Sequence, residues 1–180
     1  MLRTPLWAPL VRDSRSVGSY RATGICVLDP HELAAGKLAA LLARHVSRDL
    51  FDAHRLLTTQ TLEPEKLRLG FVLYGAMNRK DWRTVAIVDV AFDRHELNEQ
   101  LIPLLRESAV QSLGTDTQWA KRLIDECKMA LAVVLPLRPP ELEFLEQINK
   151  HGEIRPDLLT ADPAMAERIS QHPQLLWKAA

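Results

Sequence analysis

Five charged side chains in two short and otherwise apolar stretches are the residues of this sequence whose types and spacing can do chemistry. Lys37 and Arg44 stand seven residues apart, and Arg48, Asp49 and Asp52 follow after a gap of three residues. A lysine places a point charge on a phosphoryl group, an arginine offers a fork of donors, and an aspartate orients other groups or binds a metal ion. Charge is costly beside a core unless it is paired or used. If the sequence carries a function, these five residues are therefore the place to look for it.

Two helices joined by a short connection are expected to position these charges. Asp29 is a good N-cap, and Pro30 fits the first position of a helix that reaches Arg44. The apolar residues of this stretch recur at spacings that place them on one helical face. Ser47 is a second N-cap, for a helix that is expected to end at about Thr58. The short connection predicts a helical hairpin.

Helical periodicity predicts how the charges share the faces of this hairpin. Lys37 and Arg44 are nearly eclipsed on the first helix, at the border of its apolar stripe. Arg48, Asp52 and Arg55 share one face of the second helix at spacings of four and seven. Folding the hairpin brings the cations of the first helix towards the two aspartates of the second.

Two interpretations of this cluster remain open from the residues alone. In the first, the charges form a salt-bridged helical hairpin, with Asp49 favourably placed near a helix N-terminus. Most charge clusters on helices are paired or solvated faces of this kind. In the second, the same cations bind a phosphate group and the carboxylates serve chemistry.

The rest of the chain predicts a mainly α fold, a helical bundle with a small β-bearing N-terminal segment. Residues 25–28 read as a strand because of their β-branched content, and residues 85–90 are the only other good strand candidate. Capping residues, prolines and apolar spacing predict the remaining helices. They cover residues 64–78, residues 95–112 with a bend before Pro103, residues 115 or 116 to 135, residues 140–150 closed by Gly152, and a last helix from Asp162 to before Pro173.

Composition sets broad limits on function. The 180 residues carry 23 basic and 23 acidic side chains, so there is no general attraction to nucleic acid and any basic site must be local. No apolar run approaches the roughly 20 residues that span a bilayer, and no signal peptide is recognisable, so a cytoplasmic protein is expected. Cys26 and Cys127 lie far apart among apolar neighbours, which predicts two reduced, buried thiols.

Other chemistries find weaker support. The six histidines include no metal-ligand spacing, and His45 and His54 are expected on the hairpin surface or between helices. Trp82 stands among basic residues and could stack on an RNA base, but a half-buried tryptophan with a solvated basic rim is the better interpretation. Trp119 is expected in the core.

The charged stretch resembles a known family. The runs at residues 37–44 and 48–52 resemble the paired motifs "KLxALxxR" and "RDLYDL" of the AbiEii/AbiGii-type nucleotidyltransferase toxins. The resemblance continues to the C-terminus and covers about residues 27–178. Its later parts are residues 143–145, 152–159 and 172–178.

This resemblance implies a two-lobed protein, with a nucleotidyltransferase-like α/β lobe first and a helical lobe second. Such toxins, of type IV toxin–antitoxin and phage-defence systems, move a nucleotide from a nucleoside triphosphate to an acceptor, which is tRNA in some members. By position, Lys37 would contact the triphosphate, and Arg44 and Arg48 would support phosphate or order the carboxylates. Asp49 and Asp52 would be catalytic, and the resemblance does not decide which of them is essential.

The first lobe of the family should carry a Gly-Ser turn and an Asp-x-Asp pair that holds Mg²⁺. Here Gly18-Ser19 is followed only by Asp29, and no Asp-x-Asp occurs. We therefore expect no metal site in this chain, residues 1–28 as a remnant of the first lobe, and residues 29–180 as the helical lobe. A truncated reading frame, a misassigned start codon or a split protein would each explain this, and each predicts that the chain alone is inactive.

The partners implied are a cognate antitoxin, tRNA or another RNA acceptor, and a separately encoded first lobe. An unpaired strand edge also invites self-association. The rival function is a non-catalytic interaction module that binds an antitoxin or a first-lobe chain and keeps the motif only as a structural hairpin.

Overall fold

A computed structural model describes residues 4–91, 94–105 and 116–180. It confirms the mainly α class, with a two-stranded ribbon near the N-terminus. The strands are β1 (Leu10–Arg12) and β2 (Ile25–Val27). The helices are α1 (Pro30–Arg44), α2 (Ser47–Thr59), α3 (Pro64–Ala76), α4 (Arg94–Glu96, continued by a π-turn at Leu97–Leu101), α5 (Asp116–Leu131), α6 (Pro139–Glu146, continued by a π-turn at Gln147–His151), α7 (Pro163–Ser170) and α8 (Pro173–Ala179).

The hairpin of α1 and α2 forms for the reasons that the sequence predicts. The Asp29 carboxylate accepts the His31 amide at 2.9 Å, and Pro30 begins the helix. His45 ends α1 in the left-handed region at a φ of 57°, and its amide bonds to the Leu41 carbonyl. One further residue, Val46, leads into α2 and takes the N-cap position that was predicted for Ser47.

The core lies between α1, α2, α3 and α5, with α6 to α8 packed on one side. Helix α1 buries alanines and leucines and packs against α3, where Gly70 lies against Ala35. Gly75 of α3 lets the indole of Trp82 lie against the helix, because a Cβ at this position would come within 2.0 Å of the ring. This close approach fixes the chain that follows α3.

The strand predictions are partly confirmed. The strand at residues 25–28 exists as β2, and it pairs antiparallel with β1 in the register Leu10 to Val27. The prediction of a strand at residues 85–90 is wrong. This segment forms a 3-10 turn at Ile87–Asp89, because the Asp89 carboxylate accepts the Ala86 amide at 3.0 Å and closes the chain on itself.

The ribbon stands away from the core and is largely exposed. The prediction of two buried thiols is therefore wrong for Cys26, which lies on exposed β2, and confirmed for Cys127. Burial raises the pKa of the Cys127 thiol to about 12. Neither cysteine is in a disulfide.

The later helices occur where the sequence predicts them, but some of them end at other residues. The bend before Pro103 is confirmed, since α4 passes through a π-turn into a 3-10 turn at Ile102–Leu104. The remainder predicted for that helix, residues 106–112, and Thr115 lie outside the described residues. Helix α5 ends at Leu131, four residues earlier than predicted.

The C-terminal region contains one helix that the pattern did not predict. Gly152 closes α6 at a φ of 65°, and Asp162 caps α7, both as expected. Helix α8 is additional, and the His172 side chain caps it by accepting the Gln174 amide. In the described part of the chain, no helix is long and apolar enough to cross a membrane.

Candidate functional site

The structure brings Lys37 and Asp52 together across the hairpin. The Lys37 ammonium donates to Asp52 Oδ2 at 2.6 Å. Both side chains are about one-third exposed, at 35% and 34%. A pair in this position is shielded enough to be ordered and still open to a ligand from solvent. The Lys37 ammonium is therefore within reach of an anion from solvent.

Arg44 and Asp49 form a second pair beside the first. One nitrogen of Arg44, Nη2, donates to both carboxylate oxygens of Asp49 at 2.9 and 2.7 Å. The two partners differ in burial, since the arginine side chain is 62% exposed and the aspartate only 5%. Asp49 is thus a fixed anchor, and the remaining donors of Arg44 are turned to solvent.

Arg48 does not join the cluster. It is exposed on α2, and it makes no hydrogen bond or ion pair within the described residues. Four of the five predicted residues, two from each helix, are therefore brought into pairs as the hairpin predicted. The geometry leaves their functional roles open.

A groove of about 420 Å³ lies beside Arg44, and the sequence did not predict it. The small residues Gly36, Ala40 and Ala43 form its floor on the solvent side of α1, and Arg79 lines it from the chain after α3. Arg79 is exposed and unpaired within the described residues. The signal in the sequence was the spacing of small residues at 36, 40 and 43 on the face opposite the apolar stripe.

A buried carboxylate holds the start of α1 in place. Burial by itself raises the pKa of Asp29, but hydrogen bonds from Lys66 and from His31 lower it by more, so the pKa of Asp29 lies below its usual value. Lys66 Nζ donates to Asp29 Oδ2 at 2.6 Å and joins α1 to α3. The helix that carries Lys37 is therefore fixed at its N-terminal end.

The residues of the cluster do not fit a divalent cation. Across residues 4–91, 94–105 and 116–180, no three His, Cys, Asp or Glu side chains converge. Asp49 and Asp52 each contact a cationic side chain instead. His45 and His54 make the surface and interhelical contacts expected of them, with the Asp89 carbonyl and with Glu126.

Trp82 is not a platform for nucleic acid. The prediction of a half-buried tryptophan is wrong, because the side chain is fully buried and lies 5.4 Å from Phe71 between ring centroids. A base cannot stack on a ring that solvent does not reach. Its indole nitrogen, Nε1, has no hydrogen-bond partner in the described structure. Trp119 is buried, as predicted.

The fold and the site define a helical-bundle protein whose first two helices present paired lysine–aspartate and arginine–aspartate side chains. The model of one family, described as "Nucleotidyl transferase AbiEii toxin, Type IV TA system", matches residues 3–172. The chain belongs to the AbiEii family. The match also includes the ribbon, which lies before the motifs that carry the resemblance. A search of curated proteins gave no match, and neither did a search of solved structures.

Proposed function

We propose that this chain supplies the nucleotide-contacting helices of a nucleotidyltransferase toxin, which moves a nucleotide from a nucleoside triphosphate to an acceptor such as tRNA. Membership of the AbiEii family supports nucleotidyl transfer as the reaction class and implies an antitoxin as a partner. The observation that carries the proposal is the Lys37–Asp52 pair, whose side chains are each about one-third exposed and so accessible from solvent.

In the proposed reaction, the acceptor hydroxyl attacks the α-phosphorus, the bond to pyrophosphate breaks, and pyrophosphate leaves. Lys37 exchanges Asp52 for a phosphoryl oxygen, and the freed Asp52 carboxylate accepts the proton of the attacking hydroxyl. Arg44 directs its free donors at the phosphates. Asp49 acts as a positioning residue, because it is buried and holds Arg44 rather than facing the substrate.

The groove beside Arg44 supports the binding of a nucleotide. A volume of about 420 Å³ is within the range of small-molecule sites. Its small-residue floor at Gly36, Ala40 and Ala43 leaves room for a flat ring, and Arg44 and Arg79 supply positive charge along its length. Arg48 would contribute to phosphate binding only by reaching over from α2.

The Mg²⁺ of the family reaction requires ligands that the cluster does not provide. The sequence also lacks the Asp-x-Asp pair of the family. We therefore propose that a lobe outside these 180 residues, in a second chain or in a longer form of this one, supplies the metal site. On this proposal residues 1–180 alone are inactive.

A transfer assay tests the proposal. The chain is incubated with α-labelled nucleoside triphosphates, Mg²⁺ and total tRNA, alone and with the product of any neighbouring reading frame that encodes the Gly-Ser and Asp-x-Asp set. We expect labelled tRNA only with that product, and its loss on Lys37→Met. Labelling by residues 1–180 alone would contradict the proposed division of the site. Equal labelling by the Lys37→Met complex would contradict the role of Lys37.

The exposed ribbon favours a second candidate, an interaction module that binds an antitoxin, a first-lobe chain or a second copy. Val11, Val17 and Tyr20 are each more than two-thirds exposed, and both ribbon edges are open within the described residues. Size-exclusion chromatography over a range of concentrations distinguishes self-association from the other two. A strict monomer would exclude a second copy as the partner.

A further inference from the structure

Helices α2 and α5 enclose a groove of about 260 Å³ that is separate from the groove beside Arg44. We call it the α2–α5 groove. Facing stripes of the two helices line it, at spacings of three and four residues on each helix. The residues that matter here are Phe51, His54 and Arg55 on α2, and Trp119, Arg122 and Glu126 on α5.

Arg55 faces this groove without a partner. It is exposed, and its side chain makes no hydrogen bond or ion pair within the described residues. Asp52 lies three residues before it and would be its natural partner on the helix surface. That carboxylate instead accepts the Lys37 ammonium at 2.6 Å. The Arg55 guanidinium is therefore unpaired on its own helix and can bind an anion that enters the groove.

Arg122 is in the same situation on the opposite wall. Glu126 follows it by four residues, a spacing at which oppositely charged side chains commonly pair. The Glu126 carboxylate is bonded to His54 Nε2 at 2.5 Å instead. Asp125, three residues after Arg122, is exposed and makes no pair with it. Arg122 thus makes no hydrogen bond or ion pair in the described parts of the chain.

The base of the groove is rigid and apolar. Phe51 and Trp119 pack across it, with ring centroids 6.2 Å apart and planes tilted by 53°. The tryptophan is buried, and the phenylalanine is partly so. An apolar base excludes water from one side of a bound anion and so strengthens its contacts with the two guanidinium groups.

We propose that the α2–α5 groove binds a phosphate group, with Arg55 and Arg122 as its two cationic walls. A carboxylate is satisfied by the fork of one arginine, whereas a phosphate offers further oxygens and more charge for a second one. The phosphate belongs either to the backbone of a polynucleotide or to a small phosphorylated molecule. The site uses none of the Lys37, Arg44 and Asp49 side chains, and it shares with the proposed transfer only Asp52, whose bond to Lys37 leaves Arg55 unpaired.

Two probes and one matched control test this site in the full chain. The probes are a short fluorescein-labelled single-stranded RNA, followed by anisotropy, and inorganic phosphate, followed by calorimetry and as a competitor. The test variant is Arg55→Gln/Arg122→Gln. The control is Lys121→Gln/Lys128→Gln, which removes the same charge from α5 at residues that do not line the groove. Circular dichroism checks that both variants are folded.

We expect the test variant to bind its probe about tenfold or more weakly, and the control to change binding by less than about threefold. If RNA is the ligand, the slope of log K against log salt falls by about 0.7, since the two arginines hold one phosphate and each phosphate contact on a single strand contributes about 0.7. RNA binding that millimolar phosphate leaves intact assigns the groove to a polynucleotide, and binding of phosphate itself assigns it to a small molecule. The proposal is overturned if the wild type binds neither probe, or if the control loses as much affinity as the test variant.

Discussion

Two carboxylate–cation contacts of this protein use the same chemistry in opposite ways. Arg68 of α3 and Glu141 of α6 form a buried pair, with side chains that are 6% and 10% exposed. Lys37 and Asp52 form a pair that is about one-third exposed. The first pair is enclosed by the protein, whereas solvent reaches the second. The first therefore holds the fold, and the second is the one that our proposal assigns to a ligand.

Arg68 illustrates complete satisfaction of a buried charge. Its Nε and Nη2 donate to Glu141 at 2.5 and 2.8 Å, and its other contacts are the carbonyls of Val133 and Pro136. Glu141 also accepts the Arg138 amide at 2.6 Å and so caps α6. The pair ties α3 to α6, and the two carbonyl contacts of Arg68 tie α3 to the chain that joins α5 and α6. Because each partner is surrounded by fixed groups, neither can move without leaving a buried charge unpaired.

The largest effect is therefore expected from breaking the buried pair. Arg68→Ala leaves the Glu141 carboxylate without its cation, and we expect a loss of about 3–5 kcal/mol in the free energy of unfolding. Urea denaturation followed by circular dichroism measures it. The double variant Arg68→Met/Glu141→Leu is the control and should recover much of the loss. A change below about 1 kcal/mol for Arg68→Ala would remove the contrast between the two pairs.

A buried histidine, His172, makes the stability of the fold depend on pH. His172 Nε2 donates to the Thr4 carbonyl and Nδ1 accepts the Gln174 amide, so the ring is neutral. Burial lowers its pKa below the ordinary 6.5. Below about pH 6.5 the unfolded chain binds a proton that the folded chain does not, so stability is full above this pH and falls as the pH is lowered towards the folded pKa.

We expect the free energy of unfolding to decline as the pH is lowered below 6.5, by at most about 1.4 kcal/mol per pH unit from this one group. His172→Asn should flatten the curve, and exposed His151→Gln should leave it unchanged. Denaturation curves at several pH values measure this. An equal slope in the His172 variant and the wild type would show that other groups cause the decline.

A smaller loss of stability is expected at Asp49. This carboxylate is buried, like the Arg68–Glu141 pair, but its partner Arg44 is exposed to solvent. Asp49→Asn removes the charge that holds Arg44 but leaves an exposed arginine in water, so we expect a loss of about 1 kcal/mol in stability. In the assembled transferase that we propose, Asp49→Asn should lower activity less than Asp52→Asn does. The reverse order of activities would identify Asp49 as the residue that faces the substrate. Parallel stability and transfer measurements distinguish the two roles.

The hairpin was predictable because its signals are local. Asp29 and Pro30 define the start of α1, and helical spacing alone places Lys37 and Asp52 on facing sides. The strand predicted at residues 85–90 failed because β-branched content says nothing about a carboxylate that closes a turn, as Asp89 does. Local sequence pattern therefore predicts most helices well. It predicts poorly where a side-chain contact, such as that of Asp89, replaces the expected strand by a turn.

The buried pair and the two grooves were not predictable, because they depend on packing between distant segments. Arg68 and Glu141 are 73 residues apart, and nothing in the sequence links them. The Arg55 side chain likewise lacks an ion-pair partner because Asp52 bonds to Lys37 instead. That contact forms only when the two helices fold into the hairpin. Exposure of Cys26 depends on where the ribbon stands relative to the core.

The smallest effect on stability is expected at Lys37, where the effect on function should be greatest. An ion pair that solvent reaches contributes roughly 0–1 kcal/mol, so Lys37→Met should change the free energy of unfolding by less than about 1 kcal/mol. In the assembled transferase the same change should abolish labelling of the acceptor, because the triphosphate loses its point charge. Lys37→Arg is the conservative control and should keep the stability with partial activity. If Lys37→Met instead destabilised the fold by as much as Arg68→Ala, the pair would be structural, and the distinction between a charge that holds the fold and one that serves a ligand would not apply to this hairpin.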